Sequence, residues 1–239
     1  MKKHKIIDKS VHVHQGRKLS LKINIKEQQI LTEKQKLFLE LALKKESKII
    51  FVSGPAGTSK TYLSILTALK LLNEHKVSDL IYIRSAVESS DSKLGFLPGE
   101  SHEKMAPYLQ PLIDKLEEFL NKGDIDFLQK NGHIDSVPVG FLRGLNWNAK
   151  VVISDESQNM TTKELVTLIT RVGEFSKLFI LGDPDQSDIG NKSGFKKMVD
   201  LFSDEESKEN GVYTFEFNED DIVRSKLVKF LIKKIKKSS

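Results

Sequence analysis

Ile49-Ile50-Phe51-Val52-Ser53-Gly54-Pro55-Ala56-Gly57-Thr58-Ser59-Lys60-Thr61 is the stretch whose reading decides the fold. Four apolar residues make a short buried strand, a glycine turn follows, and Ser59 opens a helix rich in leucine. A glycine turn between a strand and a helix is a phosphate loop. Its backbone N–H groups converge on one point, the helix dipole favours negative charge there, and glycine lets the backbone approach closely. Gly54, Pro55, Ala56, Gly57, Thr58, Ser59, Lys60 and Thr61 are therefore the candidate triphosphate cradle. In that cradle Lys60 reaches the β- and γ-phosphates and Thr61 gives its hydroxyl to magnesium. Ser59 stands where the motif has its last glycine. We expect it to be tolerated, because a helix start suits serine and its hydroxyl can donate a hydrogen bond.

Two further strands carry chemistry at their carboxyl ends. Val151-Val152-Ile153-Ser154 runs into Asp155-Glu156. At the end of a central parallel strand, Asp155 is placed to hold magnesium through water, and Glu156 to polarise an attacking water. Leu178-Phe179-Ile180-Leu181 runs into Gly182-Asp183-Pro184-Asp185-Gln186. Gln186 can donate to the γ-phosphate or the water, and Asp183 can orient that network.

Around these segments, short apolar strands alternate with helices, which argues for an α/β fold: a mostly parallel sheet flanked by helices on both faces. Strands are expected at 48–53, 80–84, 137–139, 151–153, 178–181 and 212–217. Helices are expected from Thr32 to about 42, from Ser59, over 106–120, from Thr161 to about 171, over 195–202 and over 219–237, with a loop at 85–103. Residues 1–30 form an amino-terminal extension in which Leu19, Leu21, Ile23 and Ile25 alternate as a half-buried strand does; residues 31–239 form the main domain. His12 and His14, two apart, suit either a solvated edge strand or a metal. The chain has 239 residues, no cysteine and a net charge of +5. Disulfides, thiolate zinc and a cysteine nucleophile are excluded. No apolar run approaches the ~20 residues of a membrane span, and Met1–Lys5 lacks the apolar segment of a signal peptide. The expected location is the cytoplasm.

Together the motifs resemble the PhoH family of P-loop ATPases, related to the superfamily-one helicase core. Beyond the phosphate loop the resemblance rests on Arg84–Glu88, Leu94–Gly99, Glu103-Lys104, Pro107-Tyr108, Pro111, Arg143-Gly144, Asp155–Asn159, Thr170–Gly173, Gly182–Asp188 and Asp221–Arg224. It implies a RecA-like P-loop NTPase that binds and hydrolyses ATP with magnesium. It also implies RNA or single-stranded DNA as partner, and a homo-oligomeric ring, expected to be hexameric. The short chain and Ser59 look like bacteriophage members, whose site of action is the host cytoplasm. The similarity to helicase cores implies that Gln35 recognises adenine; the plainer alternative is an exposed helix residue. Ser85 and Ser89-Ser90 depart from the family pattern in the loop that faces nucleic acid. The competing functions are an ATP-driven conformational switch with slow turnover and a small-molecule phosphotransferase. Asp155, Glu156 and Gln186 favour water over a kinase acceptor.

Catalysis at a phosphate loop calls for a cation on the developing γ-phosphate charge. Arg143, Arg171 and Arg224 recur in the family-like motifs, and each is alternatively a structural ion-pair partner. Arg224 is favoured as a finger supplied by a neighbouring subunit; Arg171 equally suits a phosphate sensor within the subunit. Arg84 is a fourth candidate but belongs to the substrate loop. The lysine-rich terminal helix is either a solvated face or a contact to a phosphate backbone. Phe96, Tyr108 and Trp147 serve either as core or as base-stacking surfaces. One ATPase core, where monomeric helicases close a nucleotide site with two, leads us to expect an oligomer.

Overall fold

The computed structural model describes residues 19–20, 22–26, 30–85, 101–224, 227–228 and 230–231, with only the backbone of 101–108. In chain order the elements are α1 (Glu33–Leu43), β1 (Ile49–Ser53), α2 (Lys60–Asn73), β2 (Asp79–Arg84), α3 (Ser101–Leu116), α4 (Lys122–Lys130) and β3 (Ile134–Ser136). Then follow β4 (Lys150–Asp155), α5 (Thr162–Ile169), β5 (Lys177–Gly182), α6 (Phe195–Leu201), α7 (Glu205–Glu209) and β6 (Val212–Glu216). The sheet order is β3-β2-β4-β5-β1-β6, and every pairing is parallel. Parallel neighbours need crossovers, which the helices supply. This is the α/β phosphate-loop architecture the motifs called for.

Side chains on a strand alternate between faces, so each strand feeds two cores. Ile50, Val52, Leu80, Tyr82, Val151, Ile153, Phe179 and Leu181 pack with α1, α2, α3 and α4 on one face. Phe51, Ile81, Ile83, Val152, Leu178 and Ile180 pack with Leu165, Leu168, Phe195 and Met198 of α5 and α6 on the other. Burial on both faces explains why the central strands read as continuous apolar runs. Thr32 starts α1 with a capping box: its hydroxyl accepts from Gln35 N–H, and Gln35 Oε1 accepts from Thr32 N–H. Thr161 and Glu164 do the same for α5. Such reciprocal caps satisfy helix-end donors that would otherwise lack partners.

Several elements depart from the sequence reading. Helix α3 begins at Ser101, inside the expected loop, and ends at Leu116; Phe119 and Leu120 are buried in the turn that follows. Residues 86–100 lie outside the described residues. The strand expected at 137–139 lies at Ile134–Ser136, and Val139–Phe141 is a 3-10 turn. The terminal helix does not start at 219. Asn218 instead caps a 3-10 turn, Glu219–Asp221, and helix is seen at 227–228 and 230–231.

The described part of the amino-terminal extension, 19–20, 22–26 and 30, contains no strand. It is held by side chains and one backbone bond instead. Asn73 takes the place of a neighbouring strand, its Nδ2 donating to Ile23 O and its Oδ1 accepting from Ile23 N–H. Lys26 N–H donates to Phe119 O, and Leu19 and Ile23 are buried in the α1–α4 core. His12 and His14 lie outside the described residues.

Candidate nucleotide site

The carboxyl ends of β1, β2, β4 and β5 open onto one cleft of about 380 Å³, within the ordinary range for a small-molecule site. Its walls include Ala56, Gly57, Ser59, Lys60 and Thr61 from the turn, Tyr82 and Arg84 from β2, and Asp155, Glu156 and Gln158 after β4. Asp183 and Gln186 follow β5, Pro111 and Lys115 come from α3, and Arg224 closes another side.

The turn has the backbone a phosphate cradle needs. Gly54 has φ of 147°, and a β-carbon there would lie 2.6 Å from Phe217 O. Gly57 has φ of 85°, and its missing β-carbon leaves room for Arg224. Ser59, also left-handed at φ 69° and ψ 22°, makes no capping hydrogen bond with its side chain. The conformation is the one glycine would take without strain. Four bonds pin the turn: Gly54 N–H to Gly182 O, Ala56 N–H to Asp183 Oδ2, Thr58 Oγ1 to Pro55 O, and Val223 N–H to Gly57 O.

Lys60 donates from Nζ to Gly54 O at 2.6 Å and Pro55 O at 2.9 Å. Burial holds its ammonium below the usual lysine range, opposed by the charges of Asp183, Asp155 and Glu156. A charge so placed gains from any anion brought into the cradle.

Thr61 Oγ1 donates to Asp155 Oδ2 at 3.1 Å, across 94 residues of sequence. The hydroxyl and carboxylate that a magnesium ion would use thus already meet. Magnesium takes one or two protein oxygens and fills its octahedron with phosphate and water, so this donor set fits. Among the described residues no group of three or more His, Asp or Glu could hold a metal by itself. Asp155 Oδ1 accepts from Glu156 N–H.

Glu156, at φ 54°, turns its carboxylate back so that Oε2 accepts from Gln158 Nε2 at 2.7 Å. Gln158 is 2% exposed; its Oε1 accepts from Asp183 N–H and its Nε2 also reaches Gln186 O. One buried amide therefore ties the end of β4 to the end of β5. Asp183 is itself buried, with its two oxygens on Ala56 N–H and Asp185 N–H.

The arginines separate clearly. Arg224 and Arg84 line this chain's own cleft. Arg143 is exposed and outside it. Arg171 follows α5 at the far end of the sheet, where its carbonyl accepts from Trp147 N–H, just before β4 begins. Arg171 is not part of the cleft wall, and the length of β4 lies between its backbone and the cradle. Trp147, 3% exposed, is core. Gln35 is 1% exposed and not part of the cleft wall; its Oε1 serves the capping box and its Nε2 is buried without a hydrogen-bond partner. Phe96 lies outside the described residues, as does the side chain of Tyr108.

Sequence reasoning missed Tyr82 and assigned no role to Gln158. Gln158 sits two residues after Glu156, and its polar side chain beside an acid pair is a weak signal. Tyr82 reads as one more apolar strand residue.

The PhoH-like protein family matches residues 27–236. A PhoH-like protein of Synechocystis sp. is 38% identical over 192 residues, covering 80% of this chain and 57% of that protein. A PhoH-like protein of Bacillus subtilis is 37% identical over 194 residues, 80% of this chain and 59% of its own length. Protein PhoH of Escherichia coli is 35% identical over 187 residues, 76% of this chain and 51% of its length. The chain spans little more than half the length of these curated relatives.

Proposed function

This chain belongs to the PhoH-like protein family, and from that premise we propose that it binds ATP in the cleft and hydrolyses it, as an oligomeric motor on RNA or single-stranded DNA. The observation that carries the reading is the 3.1 Å contact of Thr61 with Asp155, flanked by the Glu156–Gln158–Asp183 linkage.

The phosphates meet the backbone N–H groups of the Gly54–Thr61 turn and the start of α2. The ammonium of Lys60 leaves the carbonyls of Gly54 and Pro55 for phosphate oxygens. Thr61 and Asp155 would hold magnesium, which when bound supplies charge neutralisation on the phosphates. Glu156, held at Oε2 by Gln158, accepts the proton of the attacking water. Gln186 orients that water, and Arg84 and Arg224 offset charge on the phosphoryl oxygens.

The basic net charge supports a polyanionic partner. Leu227, Phe230 and Leu231, all exposed, support burial against another copy. Phosphate release from ATP, with and without single-stranded RNA, tests the proposal. Glu156→Gln should keep ATP affinity and lower hydrolysis by roughly 10²-fold or more; undiminished hydrolysis refutes the role of Glu156. Near-zero turnover that RNA does not stimulate refutes the motor and leaves the nucleotide switch.

A further inference from the structure

Asp155 receives more than the metal reading requires. Its Oδ2 accepts two hydroxyls: Thr61 Oγ1 from the phosphate turn at 3.1 Å and Tyr82 OH from β2 at 2.8 Å. Its Oδ1 is on Glu156 N–H at 3.0 Å. Of these three donors, Thr61 is the one the magnesium reading calls away, because its hydroxyl is then a metal ligand. Tyr82 is the side-chain donor that remains.

The sheet explains how a tyrosine comes to serve there. Strands β2 and β4 are parallel neighbours, with Arg84 opposite Asp155 and Tyr82 opposite Ile153. Tyr82 and Arg84 are two apart, so they share the face that carries Asp155. Two residues of strand advance about 6.6 Å, close to the length of a tyrosine side chain. The ring thus lies along the sheet face and delivers its hydroxyl to the end of the next strand. The ring is packed in the α1–α4 core with Tyr82 2% exposed, so it cannot swing away without opening that core.

We infer that Tyr82 is a positioning residue for the magnesium-holding carboxylate, fixing Asp155 so that it meets the metal without reorganising. This rests on the ATP and magnesium reading above. It differs from a packing role in what it affects. The ring fills the core in either case; the hydroxyl acts on the metal-dependent part of nucleotide binding alone.

The test is Tyr82→Phe, which keeps the ring and deletes one oxygen. A fluorescent ATP analogue is titrated into parent and variant, once with excess magnesium and once with EDTA, and the unfolding midpoint of each nucleotide-free protein is recorded. The expected result is EDTA affinity within twofold of the parent and a midpoint within a few degrees. The tightening conferred by magnesium should fall ~10-fold, the size of a lost hydrogen bond to a charged group. Full retention of magnesium tightening in Tyr82→Phe overturns the inference while leaving the ATP site intact. Equal weakening in both buffers, or a collapsed midpoint, also overturns it and makes Tyr82 structural. A parent protein whose affinity does not respond to magnesium removes the reading beneath it.

Discussion

Ser59→Gly should make this protein more stable and leave its nucleotide affinity intact. Ser59 occupies the left-handed region at φ 69° and ψ 22°. A β-carbon there costs about 1–2 kcal/mol. Serine at a helix start ordinarily recovers about 1 kcal/mol by capping, but the Ser59 side chain makes no capping bond. Glycine removes the strain and surrenders nothing at the cap. It does gain freedom in the unfolded chain, worth about 0.4–1 kcal/mol against folding. The balance runs from about zero to about 1.6 kcal/mol in favour of glycine, centred near about 0.8 kcal/mol. For a chain of this length the central value raises the melting temperature by roughly 2–3 °C. Ser59→Ala is the control: it keeps the β-carbon and drops the hydroxyl, so it should match the parent within about 0.5 kcal/mol. Calorimetric or denaturant unfolding of the three proteins gives the order glycine above serine and alanine. If Ser59→Gly is the less stable, or Ser59→Ala falls by as much as 1 kcal/mol or more, the hydroxyl makes a contact that this reasoning denies.

Arg171→Ala should leave ATP affinity and single-chain turnover within about twofold, since Arg171 lies beyond the far end of β4; Arg224→Ala should keep affinity and lower turnover by ~10-fold or more. A tenfold loss of ATP affinity in Arg171→Ala would contradict the placement. Lys177 donates to the carbonyls of Lys44 and Ser47 in a buried site, and burial, aided by Lys48, lowers its pKa to about 8. The folded chain therefore releases this proton before the unfolded chain does. Below about pH 8 both states carry it and the burial cost is full; from there to about 10.5 this group adds stability as pH rises. The stability of the parent relative to Lys177→Met should thus rise between about pH 7 and about pH 10. A constant gap in urea unfolding would mean that Lys177 titrates as an ordinary lysine.

What the sequence made legible is what local chemistry encodes. The β1–turn–α2 unit, the acids ending β4 and β5 and the capping boxes at Thr32 and Thr161 are patterns within a few residues of one another. Elements with few apolar residues were hidden: α4 buries only Ile125 and Leu128, and β3 is three residues at a sheet edge. The terminal helix was extended too far because Ile222 and Val223 continue its apolar rhythm, whereas Asn218 caps a 3-10 turn before them. Tyr82 could not be assigned from sequence, because its place at Asp155 is set by the register of β2 on β4. Arg171 shows the converse. Its motif is family-like, but the direction of α5 carries it away from the cleft.

The central claim is that the Gly54–Thr61 turn and Asp155 form one magnesium–ATP site. Calorimetric titration of ATP into the parent and Lys60→Ala, each with and without magnesium, tests it most directly. The account predicts one site per chain, tightened by magnesium in the parent, with affinity lost by ~10-fold or more in Lys60→Ala. Absence of binding to the parent, or undiminished binding to Lys60→Ala, would contradict it.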